Sequence, residues 1–236
     1  MRQTNRKERR FLPMPKGRGF HGEHLMRIIE PSFAIITPIN GEEILKAIER
    51  IGRVCYKSED KIQDGTAHKF VRMLINRGHE AMIEHYTFSV QFICDRGVSH
   101  EIVRHRIASF AQESTRYCNY SNEKFSNGVT FIKPFFWDNE SKQYQEWLSA
   151  MEYAERQYIE LVRLGASPQE ARSVLPNSTK TEIVVTMNLR EWRHFFKLRA
   201  DYAAHPQMKE IVRPLLNECK KLIPVVFDDI SFCMDF

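Results

Sequence analysis

Residues 104 to 116 read RHRIASFAQESTR, and this run determines how the rest of the chain is interpreted. It brings three guanidinium groups, an imidazole and the hydroxyls of Ser114 and Thr115 into thirteen positions. An arginine fork binds phosphate oxygens in pairs, and serine or threonine hydroxyls can satisfy the lone pairs that remain. The run therefore predicts a binding site for an anion, with phosphate as the favoured ligand.

The same residues also have a simpler interpretation as a solvated surface. Arg104, Arg106 and Arg116 could each pair with a nearby glutamate, and exposed ion pairs of this kind contribute little to stability. If the run were helical, Arg104 and Arg106 would lie about 200° apart, so one straight helix could not direct both to one ligand. They would then serve two ligands or two neighbouring pockets.

The spacing of the run, R-H-R followed by seven residues and Ser114, resembles the signature of the flavin-dependent thymidylate synthases. Three other segments of that family occur in the expected order. They are residues 78 to 85, which read GHEAMIEH, residues 171 to 176, which read ARSVLP, and residues 188 to 201, which begin with NLR and end with LRAD. Four segments in the same order are hard to obtain by chance.

The resemblance implies an α+β fold with one domain, in which helices flank a β-sheet and one long helix covers about residues 141 to 164. It also implies a homotetramer with active sites between subunits, each binding FAD and dUMP side by side. In the implied reaction, 5,10-methylenetetrahydrofolate donates a one-carbon unit to C5 of dUMP. A flavin hydride, replenished by NADPH, completes the methyl group of dTMP and tetrahydrofolate is released. Because no G-x-G-x-x-G follows a predicted strand, the flavin site is expected to be of a non-Rossmann kind.

Site residues are also implied by the resemblance. The flavin is expected to contact His79, Arg104, His105, Arg106, Gln112, Asn188, Arg190 and His194. The dUMP is expected to contact Glu101, Arg104, Gln112, Ser114, Arg116, Arg172 and Arg199. Arg116 and Arg172 are the candidates for its 5′-phosphate. Glu101 stands where glutamine is frequent in the family and His194 where asparagine occurs, so these two contacts depart from the pattern.

Arg199 is the expected catalytic residue, because it matches the family residue that ionises the uracil ring at N3. It falls seven residues after Trp192 on a predicted helix, so it continues an inward apolar face and needs an acceptor. An internal acid such as Asp201 or a bound ligand could supply that acceptor. A guanidinium is not a proton acceptor at working pH, so Arg199 would act by stabilising negative charge on the ring.

Two side chains near the run are candidate nucleophiles. Ser114 has no assured basic partner, and binding to phosphate is its favoured role. Cys118 lies close to Arg116, which could lower its pKa, and a flavin-free methyltransferase that attacks dUMP through this cysteine is an alternative function. The family motif places no catalytic cysteine there, so packing is the favoured role of Cys118.

Metal and disulfide chemistry are not expected. Histidine pairs His79 with His85 and His100 with His105 lack both zincin spacing and a supporting cluster of acids or cysteines. The five cysteines are odd in number and contain no C-x-x-C pair, which argues against a disulfide framework and a zinc site.

The length and charge of the chain limit its domain organisation and its class of function. The chain has 236 residues, 42% of them hydrophobic, which is enough for one substantial core. Its net charge of +5 resides in residues 1 to 20, where seven Lys or Arg face only Glu8, so the other 216 residues sum to −1. We expect a basic, flexible tail over residues 1 to 20 and a single catalytic domain over residues 21 to 236. The tail and the arginine run leave a non-catalytic nucleotide or nucleic-acid binding module as an alternative, but no nucleic acid partner is expected.

Hydrophobic periodicity predicts the order of the elements. Strands are predicted at residues 32 to 38, 86 to 94 and 181 to 187. Helices are predicted at residues 41 to 55, 67 to 77 and 141 to 164. A short helix is predicted from Ser167 to before Pro176, another helix starts at Asn188, and a last one lies within residues 206 to 236. No secretion signal and no run of eighteen apolar residues is present, so a cytoplasmic protein without membrane contact is expected.

Overall fold

The fold is built on a four-stranded antiparallel sheet. A computed structural model describes residues 26 to 232, so the basic tail predicted at residues 1 to 20 lies outside the described residues. The strands are β1 Arg27–Ile29, β2 Ser32–Ile35, β3 Thr87–Asp95, β4 Ala108–Gln112, β5 Thr130–Ile132 and β6 Lys180–Asn188. The helices are α1 Gly41–Val54, α2 Thr66–Asn76, α3 Arg96–Ile102, α4 Lys142–Arg163, α5 Pro168–Ala171, α6 Leu189–Arg199 and α7 Pro206–Leu222.

The main sheet has the strand order β2-β3-β6-β4, and all its pairs are antiparallel. Alternate side chains of β3, from Phe88 to Cys94, are buried, which confirms the strand predicted from their spacing. β1 and β5 form a separate parallel pair that periodicity did not predict. The strands of the main sheet come from distant parts of the chain, so the sheet brings residues near 90, 110 and 185 side by side.

Helices cover the apolar face of this sheet. Side chains of α1, α2, α6 and α7 share one buried cluster with β3 and β6, and Trp192 of α6 stacks on Phe88 of β3 with ring centroids 4.8 Å apart. The long helix α4 belongs to a second, smaller cluster with Tyr158 and Phe131 at its centre. The mixed helix and sheet fold and the long helix are therefore as predicted. In the described part of the chain, no helix combines the length and the apolar character that crossing a membrane requires.

Side-chain caps fix the starts of several helices. The Asn188 side chain accepts a hydrogen bond from the Glu191 backbone N–H at 2.8 Å and caps α6. Ser141 caps α4 in the same way, and Ser167 forms a capping box with Glu170 at the start of α5. These local contacts explain why the predicted boundaries lie within a few residues of the observed ones.

The arginine run is not helical, so the 200° separation considered for Arg104 and Arg106 does not apply. α3 ends at Ile102, the chain turns, and β4 begins at Ala108. The turn includes Ile107 with a φ of 66°, a left-handed conformation that is rare for a β-branched residue. It reverses the chain so that the second half of the run forms the edge strand of the main sheet.

Candidate active site

A strained, exposed isoleucine marks the centre of the site. Ile107 combines its left-handed backbone with a side chain that is 81% exposed. Such conformations cost about 1 to 3 kcal/mol and cluster at functional sites. Ile107 directly follows the three residues Arg104, His105 and Arg106, so the strain lies at the turn that presents them.

Ile107 borders an open cleft of about 420 Å³ at the N-terminal end of α6. The cleft is lined by Glu80, Glu84, Ile107, Asn188, Arg190, Glu191, His194 and Lys197. Three of the expected flavin residues, Asn188, Arg190 and His194, thus meet in one cleft. The other five, His79, Arg104, His105, Arg106 and Gln112, do not line it.

Arg199 is held by two partners within the chain. Its Nη1 donates to Oε2 of Glu101 at 2.7 Å, and Nη2 donates to the Glu101 carbonyl at 3.0 Å. Its Nε donates to Nε2 of His105 at 3.0 Å. Of the two alternatives for its acceptor, an internal acid is present, but it is Glu101; Asp201, which was given as the example, accepts from the backbone N–H of Ala203 instead. The family resemblance implied that the Glu101 carboxylate lies near the nucleotide. In the structure this carboxylate accepts a hydrogen bond from Arg199.

His105 connects Arg199 to the cleft. Its Nδ1 lies 3.2 Å from Oε1 of Glu191, and its ring is 5% exposed. Burial, the Arg199 guanidinium and His194 together lower the pKa of His105 to about 4. The imidazole is therefore neutral at physiological pH, and a continuous chain of contacts runs from Glu101 through Arg199 and His105 to Glu191.

His105, Glu191 and His194 also form a group whose ligand atoms lie within 4.8 Å of one another, a combination that the histidine pairs in the sequence did not indicate. A metal ion would need a free lone pair on His105. Hydrogen bonds occupy both ring nitrogens of His105, and the Arg199 cation lies beside it. In this arrangement His105 and Glu191 are hydrogen-bonded to each other, and His194 packs edge-on against the His105 ring.

The second half of the run gathers the residues expected at the phosphate. Nη1 of Arg172 donates to the Thr115 hydroxyl at 3.4 Å, which brings Arg172 against the run. The Ser114 hydroxyl accepts from the backbone N–H of Arg116 at 3.3 Å. The Gln112 amide donates to Ser99 at 2.9 Å and to Thr181 at 3.2 Å, so it is fixed at the sheet edge.

A polar network supports this segment from behind. Glu113 accepts from the Tyr120 hydroxyl at 2.8 Å and from Nζ of Lys180 at 2.9 Å. Lys180 also pairs with Glu182 at 2.5 Å. The carboxylates raise the pKa of Lys180 against the opposing effect of burial, so its cation is retained between them. The segment that carries Ser114 is consequently tied to β6.

Four arginines at the site have no carboxylate partner among residues 26 to 232. Arg104, Arg106, Arg116 and Arg172 are all exposed. Arg116 lies over the ring of Tyr117, with its guanidinium carbon 5.3 Å from the ring centre. The alternative in which Arg104, Arg106 and Arg116 each pair with a nearby glutamate is therefore wrong. We call the four exposed arginines the cationic rim: Arg104 and Arg106 flank His105 in the chain, and Arg116 and Arg172 lie next to Thr115.

Comparison with known proteins shows the family of this chain. A family profile described as "Thymidylate synthase complementing protein" matches residues 40 to 225. The chain is 35% identical over 167 residues to the flavin-dependent thymidylate synthase of Pyrococcus furiosus, covering 70% of this chain and 67% of the relative. It belongs to the flavin-dependent thymidylate synthase family. The Geobacter sulfurreducens enzyme of that name is 34% identical over 191 residues, covering 78% of this chain and 80% of the relative.

Solved structures agree with the fold of a flavin-dependent thymidylate synthase. The UMP/dUMP methylase PolB from Streptomyces cacaoi, bound with 5-Br dUMP, superposes with a TM-score of 0.71 at 23% identity. The match covers 86% of this chain and 96% of the PolB chain. The same methylase bound with 5-Br UMP gives a TM-score of 0.69 at 20% identity, covering 86% of this chain and 95% of the other.

Cys118 does not have the surroundings of a nucleophile. It packs, half-buried, against the second hydrophobic cluster. Burial and the Glu113 carboxylate raise the pKa of its thiol, the opposite of the lowering that nearby Arg116 suggested. These contacts support the packing role that was expected for Cys118.

Several residues of the cleft were missed by sequence reasoning. Glu80, Glu84, Ile107, Glu191 and Lys197 lie within the segments matched to the family, but none of them was assigned a role at the site. A weak signal for Glu191 existed, because it lies three residues before His194 and therefore on the same helix face.

Proposed function

We propose that this chain converts dUMP to dTMP by reductive methylation, with 5,10-methylenetetrahydrofolate as carbon donor, FAD as cofactor and NADPH as reductant. Membership of the family supports the reaction. The observation that carries the proposal is the fixed Arg199 guanidinium, whose partner His105 contacts Glu191 of the cleft at the start of α6 and is flanked in the chain by Arg104 and Arg106 of the cationic rim. An arrangement with two adjacent binding regions suits a reaction between two anionic ligands.

The cleft suits part of a flavin. Asn188, Arg190, His194 and Lys197 offer donors or cations, and Ile107 offers an apolar surface. These are the groups that an electron-rich ring and a pyrophosphate require. When bound, the flavin would supply the hydride. Arg190 is kept at the cleft by Glu84 at 2.5 Å, so its position is set before any ligand binds.

The dUMP phosphate is assigned to Ser114, Arg116 and Arg172. A phosphate here would take hydrogen bonds from two guanidinium groups and one hydroxyl. The description of PolB as a UMP/dUMP methylase bound with 5-Br dUMP supports a uridine nucleotide as the substrate class. Gln112, whose amide is fixed by Ser99 and Thr181, is assigned to both ligands, as the family resemblance implies.

Arg199 is assigned the stabilisation of negative charge on the uracil ring. A group that is already oriented when charge develops needs no reorganisation, and this is the largest common contribution to catalysis. Glu101 and His105 orient the guanidinium through three of its N–H groups. Arg199 has five N–H donors, so two remain for a ligand.

A homotetramer with shared sites completes the proposal, with residues 21 to 236 as its catalytic domain. His79, Arg104 and Arg106 are exposed and lie outside the cleft of their own subunit. On the outer face of β4, the small residues Ser109 and Ala111 are exposed and would allow close approach of another subunit. A flavin that extends beyond one cleft would reach cations of a neighbouring copy.

The decisive experiment is reconstitution with FAD followed by desalting and a visible absorption spectrum. We expect retained flavin peaks that bleach with NADPH under argon and dTMP formation once dUMP and methylenetetrahydrofolate are added. Arg116→Ala and Arg172→Ala should raise the KM for dUMP at least about tenfold, because each removes a charge-assisted contact. Arg50→Ala, an exposed arginine on α1, is the matched control and should leave the KM unchanged. A colourless protein that makes no dTMP would refute the proposal.

A further inference from the structure

His105 lies between two groups that impose opposite requirements on its ring nitrogens. Nε of Arg199 is 3.0 Å from Nε2, and Oε1 of Glu191 is 3.2 Å from Nδ1. Arg199 reaches the ring from the last turn of α6 and Glu191 from its first turn, so one helix contacts both edges of the imidazole.

The position of the proton on His105 follows from these two contacts. An arginine N–H can only donate, so Nε2 must present its lone pair. The single proton of the neutral ring is then on Nδ1, where it is donated to Glu191. In the other tautomer, two N–H groups would face each other at 3.0 Å and a lone pair would face a carboxylate oxygen at 3.2 Å.

We infer that Glu191 is a positioning residue for Arg199: it fixes His105 as the Nδ1–H tautomer, so that Nε2 accepts from Arg199 and holds the guanidinium against Glu101. This role rests on the proposed function, because it concerns how the same site is prepared for its substrate. Glu191 acts through His105 and is distinct from the residues assigned to the uracil ring.

The neighbours of His105 fix the position and the charge of its ring, so the property that Glu191 can determine is which nitrogen carries the single proton. The ring packs edge-on against Phe195, with centroids 4.9 Å apart, and lies 5.5 Å from the His194 ring. The charged and titratable groups that face it are Glu191, His194 and Arg199 from α6, with Glu101 of α3 reached through Arg199. Since the pKa of His105 is lowered to about 4, the ring carries one proton throughout the neutral range.

Two substitutions separate the hydrogen bond from the charge. Glu191→Gln keeps an oxygen that can accept from Nδ1–H, whereas Glu191→Leu removes the acceptor. The matched control is Glu43→Leu on α1, because Glu43 holds the same helix position and its backbone N–H donates to the capping Asn40 at 3.3 Å. The side chain of Glu43 is exposed, and in the described part of the chain its only ion-pair partner is Lys46, so this control reports the general effect of losing an acid in the first turn of a helix.

The measurements are nitrogen NMR of histidine-labelled protein, which shows which ring nitrogen carries the proton, and steady-state dTMP formation by the FAD-loaded enzyme. We expect Nδ1–H in the wild type and in Glu191→Gln, and a mixture of tautomers in Glu191→Leu. Glu191→Leu should lower kcat by about 10- to 100-fold, the loss of one hydrogen bond to a charged group, and Glu191→Gln should restore most of it. Glu43→Leu should match the wild type.

A proton on Nε2 in the wild type would overturn the inference, as would a Glu191→Leu protein that keeps both the Nδ1–H tautomer and the wild-type kcat. If Glu191→Leu does not fold, the wild-type spectrum and the Glu191→Gln enzyme still decide the question. If no protein, including the wild type, forms dTMP, the proposed function fails, while the NMR result on the wild type still tests the assignment of the proton.

Discussion

Two partly or fully buried groups, His105 and Glu210, are expected to give the stability of this protein opposite pH dependences. The pKa of His105 is lowered from 6.5 to about 4 by burial, Arg199 and His194. The pKa of Glu210 on α7 is raised from 4.5 to about 7, first by burial and then by Glu30 and Asp95. Oε2 of Glu210 has no hydrogen-bond partner among residues 26 to 232, which agrees with an unfavourable environment for its charge.

The signs of the two effects follow from proton linkage. Between pH 6.5 and 4 the unfolded chain protonates its histidine and the folded protein does not, so His105 lowers stability as the pH falls. Between pH 7 and 4.5 the folded protein protonates Glu210 and the unfolded chain does not, so Glu210 raises stability as the pH falls. From pH 7 to pH 5 the His105 effect amounts to about 2 kcal/mol and the Glu210 effect, discounted for solvent screening of a partly buried group, to about 1 to 2 kcal/mol, so in the wild type they largely cancel.

Single substitutions should separate the two pH dependences of stability that oppose each other in the wild type. The assay is urea unfolding at pH 7, 6 and 5 and at one protein concentration, followed by tryptophan fluorescence. Relative to the wild type, His105→Gln should gain about 2 kcal/mol of unfolding free energy on going from pH 7 to pH 5. Glu210→Gln should lose a similar or smaller amount, because Glu210 is only partly buried and solvent screens part of its shift.

Hydrogen bonds that His105→Gln removes change stability at every pH and therefore cancel when one pH is subtracted from another. His100→Gln is the control, because His100 is exposed on α3 and its ring meets water in both states. If His105→Gln and the wild type show the same pH slope, His105 is not a neutral, desolvated group. The proton assignment between Glu191 and Arg199 would then lose its basis.

Three other changes test the site and its support. Arg199→Ala should lower dTMP kcat/KM by about 10²- to 10³-fold while FAD stays bound after desalting, and equal activity would remove Arg199 from the mechanism. Arg193→Met should lower the unfolding free energy by about 3 kcal/mol in urea melts. Arg193 is 1% exposed and pairs with Asp229 at 2.6 Å and with Glu80 at 3.1 Å, so its removal leaves both carboxylates without their partner. A loss below about 1 kcal/mol would contradict this prediction. Cys118→Ala should keep dTMP formation within about twofold of the wild type, whereas a loss of all activity with a colourless protein would restore the cysteine-dependent alternative.

Local signals predicted most helices and strands of this fold. The cap at Asn188, the capping box at Ser167 and the alternation along β3 each involve residues at most a few positions apart. The pairing of β1 with β5 joins residues about a hundred positions apart and has no local pattern. The turn at Ile107 was missed because the sequence around it contains no glycine or proline, so nothing marked the left-handed backbone.

The site was predicted less completely than the fold, for the same reason. Matching the family segments named Glu101, His105 and Arg199, but not the contacts between them, since Glu101 and Arg199 are 98 positions apart. Asp201 was considered as a partner because it is close in sequence, while folding brings α3 against the end of α6. Glu191 illustrates the opposite case: the contact that defines it reaches 86 positions back to His105.

The arginines of this site are of two kinds, exposed cations that can attract an anionic ligand and one fixed cation that can stabilise charge on the ring. The Glu101 carboxylate balances the Arg199 cation at 2.7 Å, and His105 is neutral, so the group that is assigned to the ring adds little long-range attraction. Arg104, Arg106, Arg116 and Arg172 have no carboxylate partners among residues 26 to 232, and their charges remain available to an approaching anion. An exposed cation can attract a nucleotide but is too mobile to stabilise one developing charge, whereas a cation fixed by Glu101 and His105 can do so. The rim and the fixed arginine therefore serve different steps, and a carboxylate at position 101 is compatible with anion binding because its charge is already matched.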